Sequence, residues 1–388
     1  MTGAVSPLAS IEEKIVRCMK CGLCRAACPI YKETGIESNL ARGRLRLIKG
    51  VLRKEIPLTN SIASRIFLCL LCKQCVTACP SGIEVDTIVK TAREEFAGGG
   101  FAPEAMIALS RTVVAQKNIT GEPNANRDLW SEGEAWIDRA ASRRQGAEVV
   151  FFTGCVSSMY PQVYGIPRAV AQLLDAAGVE FTTLGGEEWC CGFPLIIGGM
   201  PGAAVDIARA NVETIRRIGA KRLVAACPSC FHTWKFDYPE LLGEGLGFEV
   251  VHSSEILLER VEQGRIEPGP WEAAVTYHDP CDLGRKSGVY DPPRELLKRV
   301  PGIDFREMKA SRDATVCCGG GGNMEANFPE MVQALAGKKV EELASTGAAV
   351  VASSCQQCKR TIQGAVKRQK ARLKVLDVSE ILVKSLGG

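Results

Sequence analysis

VVFFTGC (residues 149–155) and VTYHDPC (275–281) are two versions of one phrase: an apolar run rich in β-branched and aromatic residues, then a short turn, then cysteine. The same two further phrases follow each of them. WCCGF (189–193) answers to VCCGG (316–320), and LVAACPSC (223–230) to VVASSCQQC (350–358). The intervals agree as well: 35 residues from Cys155 to Cys190 against 36 from Cys281 to Cys317, then 36 from Cys191 to Cys227 against 37 from Cys318 to Cys355. A long unit present twice predicts two lobes related by a pseudo-twofold duplication, not a solenoid of short repeats. Within the copies, apolar runs such as AEVVFF, VEFTT, RLVAA and FEVV alternate with segments of helical texture such as GAAVDIARANVETIRRI. That alternation predicts α/β units, Rossmann-like with parallel sheets, over residues 147–262 and 263–388.

Upstream the texture differs. Cys18, Cys21, Cys24 and Cys28-Pro29 form the run C-x2-C-x2-C-x3-C-P, and Cys69, Cys72, Cys75 and Cys79-Pro80 repeat it 51 residues later. This is the spacing by which bacterial ferredoxins hold two cubane 4Fe–4S clusters, with the fourth cysteine of each run bound to the other cluster. The expected sets are therefore Cys18, Cys21, Cys24 and Cys79 for one cluster, and Cys69, Cys72, Cys75 and Cys28 for the other. Exchange of fourth ligands holds the two clusters close together, as an electron relay requires. The alternative, a pair of four-cysteine zinc sites, ordinarily uses two separated C-x2-C pairs and not a run ending in proline. Residues 1–96 are read as an α-helical, ferredoxin-like two-cluster domain. Gly98-Gly99-Gly100 and Pro103 mark its end. Residues 97–146, with EAMIALSRTVV and SEGEAWIDRAASRR around a turn-rich GEPNAN and no cysteine, are read as a helical connector.

Each long repeat supplies five more cysteines: Cys155, Cys190, Cys191, Cys227 and Cys230, then Cys281, Cys317, Cys318, Cys355 and Cys358. Five thiolates exceed what a cubane needs. The first and last groups of each set follow strand-like runs, so they are expected on loops at one edge of a parallel sheet, where α/β folds place their sites. Using both members of an adjacent pair requires a tight turn, which Gly192 and Gly319 can supply. A buried structural or zinc-binding set is the competing reading of these cysteines.

Composition narrows the classes. The chain has 388 residues, 46% hydrophobic and 24% charged, enough for two or three domains, and its net charge of +4 is too small to argue for nucleic acid. Eighteen cysteines in short C-x2-C units, with only His232, His252 and His278 as imidazoles, make thiolate the dominant ligand and favour metal or redox chemistry over disulfides. No apolar run is long enough to span a bilayer, and MTGAVSPLASIEEK lacks the pattern of an export signal, so a cytoplasmic protein is expected. Direct membrane insertion is not expected. Attachment at the inner face of a membrane would need a partner subunit.

The CCG phrases resemble those of the B-type and D-type subunits of heterodisulfide reductase. The two-cluster domain joined to two CCG repeats is similar to the D-type subunit and to the glycolate oxidase iron–sulfur subunit. The resemblance implies a non-cubane 4Fe–4S cluster on each five-cysteine set, which with the eight ferredoxin-type ligands uses all 18 cysteines. ARGRLRLIKG (41–50) also resembles the glycolate oxidase subunit. From the residues alone, Arg42, Arg44, Arg46, Lys49, Arg53 and Lys54 stand in residues 41–54 without an acid. They form either a positive surface that raises cluster potentials or docks an acidic partner, or a solvated helix face. Gly319 to Gly322 lack the Lys-Ser/Thr of a phosphate loop. His278-Asp279 and His232 are candidates for proton supply near a cluster or for structural hydrogen bonds.

No flavin or dinucleotide fingerprint is present, so hydride chemistry on an organic substrate has to come from another chain. Three functions fit. The first is the electron-transfer subunit of a flavin-dependent 2-hydroxyacid dehydrogenase of glycolate or D-lactate type, with an FAD-containing partner subunit. The second is a disulfide reductase acting at a CCG-bound cluster. The third is a redox hub for an electron-transferring flavoprotein or a membrane quinone-reactive subunit. The catalytic residues are not assigned by the sequence.

Overall fold

The computed structural model describes residues 10–142 and 144–387. Residues 1–9, which hold most of the stretch read for an export signal, lie outside these, as do Arg143 and Gly388.

Ahead of the first strand the described chain is helical. Ala41, Leu45 and Ile48 on helix Ala41–Leu52, and Val85, Ile88, Val89, Ala92 and Phe96 on helix Val85–Gly98, recur at helical spacing and are buried together with Ile66 and Phe67 of helix Asn60–Phe67. The connector holds helix Glu104–Gln116, a 3-10 segment Asn124–Ser131 and the short helix Ile137–Ser142. It is less helical than its composition predicts. Gly133 at φ 79° interrupts SEGEAWIDRAASRR, and Trp136 folds back to stack on Trp130 at 5.4 Å.

Two parallel sheets follow. The first contains β1 (Val149–Phe152), β2 (Phe181–Thr183), β3 (Arg222–Ala225) and β4 (Glu249–His252), in the order β2-β1-β3-β4. The second contains β5 (Ala273–Tyr277), β6 (Ile303–Phe305), β7 (Val350–Ser353) and β8 (Lys374–Asp377), in the order β6-β5-β7-β8. The order is the same, as the repeated phrases predict. β1 is buried at all four positions, which is why VVFF reads as continuous apolar sequence without alternation. Even the helix starts match: His252 and Asp377 end the fourth strands and cap helices Ser253–Glu262 and Val378–Leu386, each within a capping box completed by Glu255 or Glu380. The sheets share one core, in which Phe151, Leu173 and Leu174 pack in the same cluster as Tyr277, Leu296 and Ile381.

The strand order positions the cysteines. Chain leaving β1 goes to β2 on one side and chain leaving β3 goes to β4 on the other, so the carboxyl ends of β1 and β3 bound the crevice where such sheets place their sites. Cys155 and Cys227 stand just beyond those two ends; Cys281 and Cys355 stand just beyond β5 and β7.

Candidate iron–sulfur centres

In the N-terminal region the two cysteine runs adopt the same local backbone. Lys20 (φ 58°) and Gly22 (φ 88°) flank Cys21, and Leu71 (φ 53°) and Lys73 (φ 59°) flank Cys72. A non-glycine residue in the left-handed region costs about 1–2 kcal/mol, so three of these four positions hold strain that curls each run around a centre. Cys28 does not stay with its own run. Cys28, Cys69, Cys72 and Cys75 together line one small cavity of ≈ 20 Å³, with Arg44 beside them. Burial pushes the Cys28 and Cys75 thiols up, and the Arg44 guanidinium acts against it on both. Cys24 is likewise raised by burial and meets the charges of Cys18 and Cys21. Cys21 is the exposed member of that group.

The basic run divides by position. Arg44 is buried and donates to the carbonyl of Arg65 at 2.8 Å, and Arg42 reaches the backbone of Lys20 at 3.3 Å while pairing with Glu37 at 3.0 Å. Arg46 and Arg53 are paired outward with Glu55 and Glu12. Two arginines of the run thus face cysteines, and two others belong to a solvated, neutralised face.

The two five-cysteine sets share one internal order. In the first, thiol contacts run from Cys155 to Cys190, Cys191, Cys230 and Cys227; in the second, from Cys281 to Cys317, Cys318, Cys358 and Cys355. Gly192 (φ 78°) and Gly319 (φ 92°) make the turns that let both members of each adjacent pair point inward, and each donates its N–H back to Cys190 or Cys317. A side chain at Gly154 would meet Cys230 Sγ at 3.0 Å, so glycine is what lets the end of β1 approach the thiols.

This chemistry fits a metal cluster. Thiols crowded in this way cannot all be satisfied by protons: hydrogen bonds from Cys190 and Cys230 draw the Cys191 thiol down to about 6, while the bond that Cys155 donates to Cys190 drives Cys155 itself well up. Cations relieve all of them at once. Two thiolates on one tetrahedral metal ion at about 2.3 Å lie about 3.8 Å apart. Cys281 and Cys317 are 3.9 Å apart, and Cys318 and Cys358 are 3.5 Å apart.

Several residues at the sites carry no recognisable pattern in the sequence. Arg127, on the cysteine-free connector, donates from Nη2 to Cys155 Sγ at 3.0 Å and from Nη1 to Glu188 at 2.7 Å, both charged side chains being 1% exposed. Glu188 in turn accepts from the N–H groups of Thr153 and Gly154, at 2.8 Å each, which fixes the turn after β1. Arg285 donates to the carbonyl of Cys72 at 2.7 Å, and Lys286 is buried against Asp282 at 2.7 Å. The nearest available signals were the acids of GGEEWCC and the basic pair after PCDLG.

The sites also lie next to one another. The Cys72 thiol is drawn down to about 6 by a hydrogen bond from Cys317, aided by Arg285 and Lys286. At the other end of the second set, the charge of Cys227 pushes against Cys355. The glycine loop takes part: a side chain at Gly322 would strike the carbonyl of Leu70 at 2.9 Å, so the loop serves close packing against the N-terminal region. Beside the first set is a half-open cavity of ≈ 400 Å³, lined by all five of its cysteines, by Phe193 and by Gln357 and Arg360 of the second repeat.

Of the histidine candidates, His232 Nδ1 meets Ser287 Oγ at 3.0 Å, and Asp279 is held by both terminal nitrogens of Arg294 at 2.7 and 2.8 Å. Both are structural bonds. His278 lies with Cys318 and Cys358. Among the described residues, no helix is long and apolar enough to cross a membrane.

Comparison with known proteins agrees with this arrangement. Residues 14–83 match the 4Fe-4S dicluster domain family, and residues 149–235 and 275–363 match the cysteine-rich domain family CCG. The chain is 33% identical over 394 residues, 95% of its length and 93% of the relative's, to the D-type subunit of the dihydromethanophenazine:CoB–CoM heterodisulfide reductase of Methanosarcina acetivorans. It is 28% identical to the EtfAB:quinone oxidoreductase of Syntrophomonas wolfei, over 95% of this chain and 58% of that one. To the B-type subunit of the fumarate reductase (CoM/CoB) of Methanothermobacter marburgensis it is 27% identical, over 95% of this chain and 72% of that one. With a dicluster domain followed by two CCG domains, and likeness along nearly its whole length, the chain belongs to the family of iron–sulfur proteins typified by the D-type subunit of heterodisulfide reductase.

Proposed function

We propose that this chain carries electrons through four 4Fe–4S centres in series, within a multi-subunit oxidoreductase, to or from a reaction site at the first CCG set. Two centres are cubanes, held by Cys18, Cys21, Cys24 and Cys79, and by Cys69, Cys72, Cys75 and Cys28. Two are non-cubane clusters on the five-cysteine sets. The observation that carries the proposal is the sequence of neighbouring sites: exposed Cys21 at one end, Cys72 against Cys317 in the middle, and Cys355, which feels the charge of Cys227, toward the cavity. Val16, Met19 and Leu23, large apolar side chains 51%, 67% and 53% exposed around the first run, give a partner a surface beside the outer centre. The gathering of Cys28 with Cys69, Cys72 and Cys75 supports the exchange of fourth ligands. Accordingly, Cys79→Ala is expected to damage the centre of Cys18, Cys21 and Cys24 and to leave that of its own run, as read by EPR of the reduced protein; loss of its own run's signal instead would contradict the exchange.

The cavity favours disulfide chemistry. The ≈ 400 Å³ of this site would hold the cluster of its five cysteines, and its wall also runs beyond them along Leu109, Phe193, Pro194 and Tyr160 to Gln357 and Arg360, an apolar margin with polar ends that suits a small organic disulfide beside the cluster. The balanced reaction is RSSR′ + 2 e⁻ + 2 H⁺ → RSH + R′SH, with the electrons supplied by a low-potential donor at the outer cubane. Clusters held by these cysteines would supply the two electrons singly, and the chain's own residues shape the cavity in which the disulfide is held. In the second reading, a 2-hydroxyacid dehydrogenase, substrate oxidation takes place on an FAD-containing partner. The experiment is to give the isolated anaerobic chain a low-potential one-electron reductant and a small disulfide. Thiol release without any partner, abolished by Cys190→Ser with the cubane signals retained, is the expected result. No thiol release, together with glycolate or D-lactate oxidation on adding a flavoprotein, would establish the second reading.

A further inference from the structure

His278 differs from the other histidines in one respect. His252 places Nδ1 2.9 Å from Ser254 Oγ and Nε2 3.1 Å from the carbonyl of Ala226, and His232 has Ser287. The ring of His278 is fully buried, yet neither of its nitrogens has an oxygen or nitrogen hydrogen-bond partner, and the group it acts on is the Cys318 thiol. Buried polar atoms are ordinarily matched, so a buried imidazole with neither nitrogen matched calls for an explanation in what surrounds it.

What stands around that ring is sulfur. A His278 ring nitrogen and the Sγ atoms of Cys318 and Cys358 all lie within 4.8 Å of one another. The backbone holds the residue in place from both sides: its N–H donates to the carbonyl of Ala352 at 2.9 Å, and its own carbonyl accepts from Ser353 Oγ at 3.1 Å. The residue is therefore fixed to β7 just ahead of Cys355. In the other repeat the same place, three residues before the first cysteine, is taken by Phe152, which is buried in the apolar core beside Cys191, Cys227 and Cys230. One set is thus five thiols against an aromatic wall, and its twin is five thiols with an imidazole turned toward them.

We propose that a ring nitrogen of His278 is a sixth protein ligand of the second CCG centre, bonded to one of its irons, so that the two CCG centres are chemically different. The inference rests on the reading of that set as a cluster site. Imidazole is a good donor to iron beside thiolate, and coordination would satisfy the nitrogen that the fold leaves without an oxygen or nitrogen partner. The duplication supplied two frames of one geometry, and the exchange between phenylalanine and histidine at one position makes them distinct sites.

The test is pulsed EPR on the full chain, prepared anaerobically, with natural-abundance and 15N-histidine-labelled protein compared at potentials where the CCG centres are paramagnetic. The expected result is a nitrogen coupling of directly bonded size in the signal of one CCG centre, converted by the label and lost in His278→Phe with the iron content unchanged. His278→Phe copies the other repeat; should it not fold, His278→Gln removes the ring at similar volume and gives the same readout. Couplings of hydrogen-bond size only, or a strong coupling that survives either variant, would overturn the inference while leaving the four-cluster reading intact. Metal analysis separates the remaining case: about 12 iron per chain, with four per centre, or zinc at the second set would overturn that reading and this inference together.

Discussion

Arg127→Met is expected to destabilise the protein by about 3–5 kcal/mol, the range for removing one partner of a buried ion pair. The size follows from what is left behind. Arg127 and Glu188 are each 1% exposed, and without the guanidinium the carboxylate keeps only the N–H groups of Thr153 and Gly154 and the Thr153 hydroxyl. Burial already pushes the Glu188 carboxyl up, with Arg127 opposing it. The same substitution removes the bond from Arg127 to Cys155, so iron at the first CCG set should fall while the cubane signals stay. Chemical denaturation of the anaerobic protein, followed with iron analysis, checks both parts. Arg127→Met combined with Glu188→Leu should recover part of the loss, because the uncompensated charge is gone. A single variant as stable as the parent would show that the pair contributes nothing.

The second large effect is expected at the junction. Cys72→Ser should remove the inner cubane, lowering iron by about four atoms per chain, and should cut the line between the outer cubane and the CCG centres. Cys72 is the residue at which the N-terminal region touches the second set, through Cys317, and Arg285 ties its backbone to the segment after Cys281. Freeze-quenched EPR after mixing with a reduced donor protein should show the outer cubane reduced as fast as in the parent, with the CCG centres reduced more slowly by orders of magnitude. CCG reduction at the parental rate would mean that electrons enter elsewhere, and the series order would be wrong.

Much of this architecture was legible because it is written in local patterns. The duplication was visible in VVFFTGC and VTYHDPC, and the two sheets have the same strand order because the same apolar runs recur in the same sequence. The turns at Gly192 and Gly319 follow from the demand that adjacent cysteines share a site. What sequence could not show is contact between distant segments. Nothing in NANRDLW distinguishes Arg127 from a surface arginine, since its burial depends on Glu188, 61 residues away. The basic run was ambiguous for the same reason: Arg44 turns inward to Arg65 while Arg46 turns out to Glu55, a division set by packing and not by the charge pattern. Gly322, which read as part of an unexplained glycine run, acquires its reason only when Leu70 is placed against it. SEGEAWIDRAASRR shows the limit of composition, because one glycine in the left-handed region and a pair of stacked tryptophans override its helical texture.

The proposed function gives every cysteine to an iron–sulfur centre and so requires a definite metal content. Iron, zinc and acid-labile sulfide analysis of one anaerobic preparation, with Mössbauer spectra of the same sample, reads it. About 16 iron per chain is expected, four for each of four centres, with no zinc and with two spectral populations, one of ordinary cubanes and one of the CCG clusters. About eight iron with one or two zinc per chain would contradict the four-centre series, leaving only the dicluster domain to carry electrons.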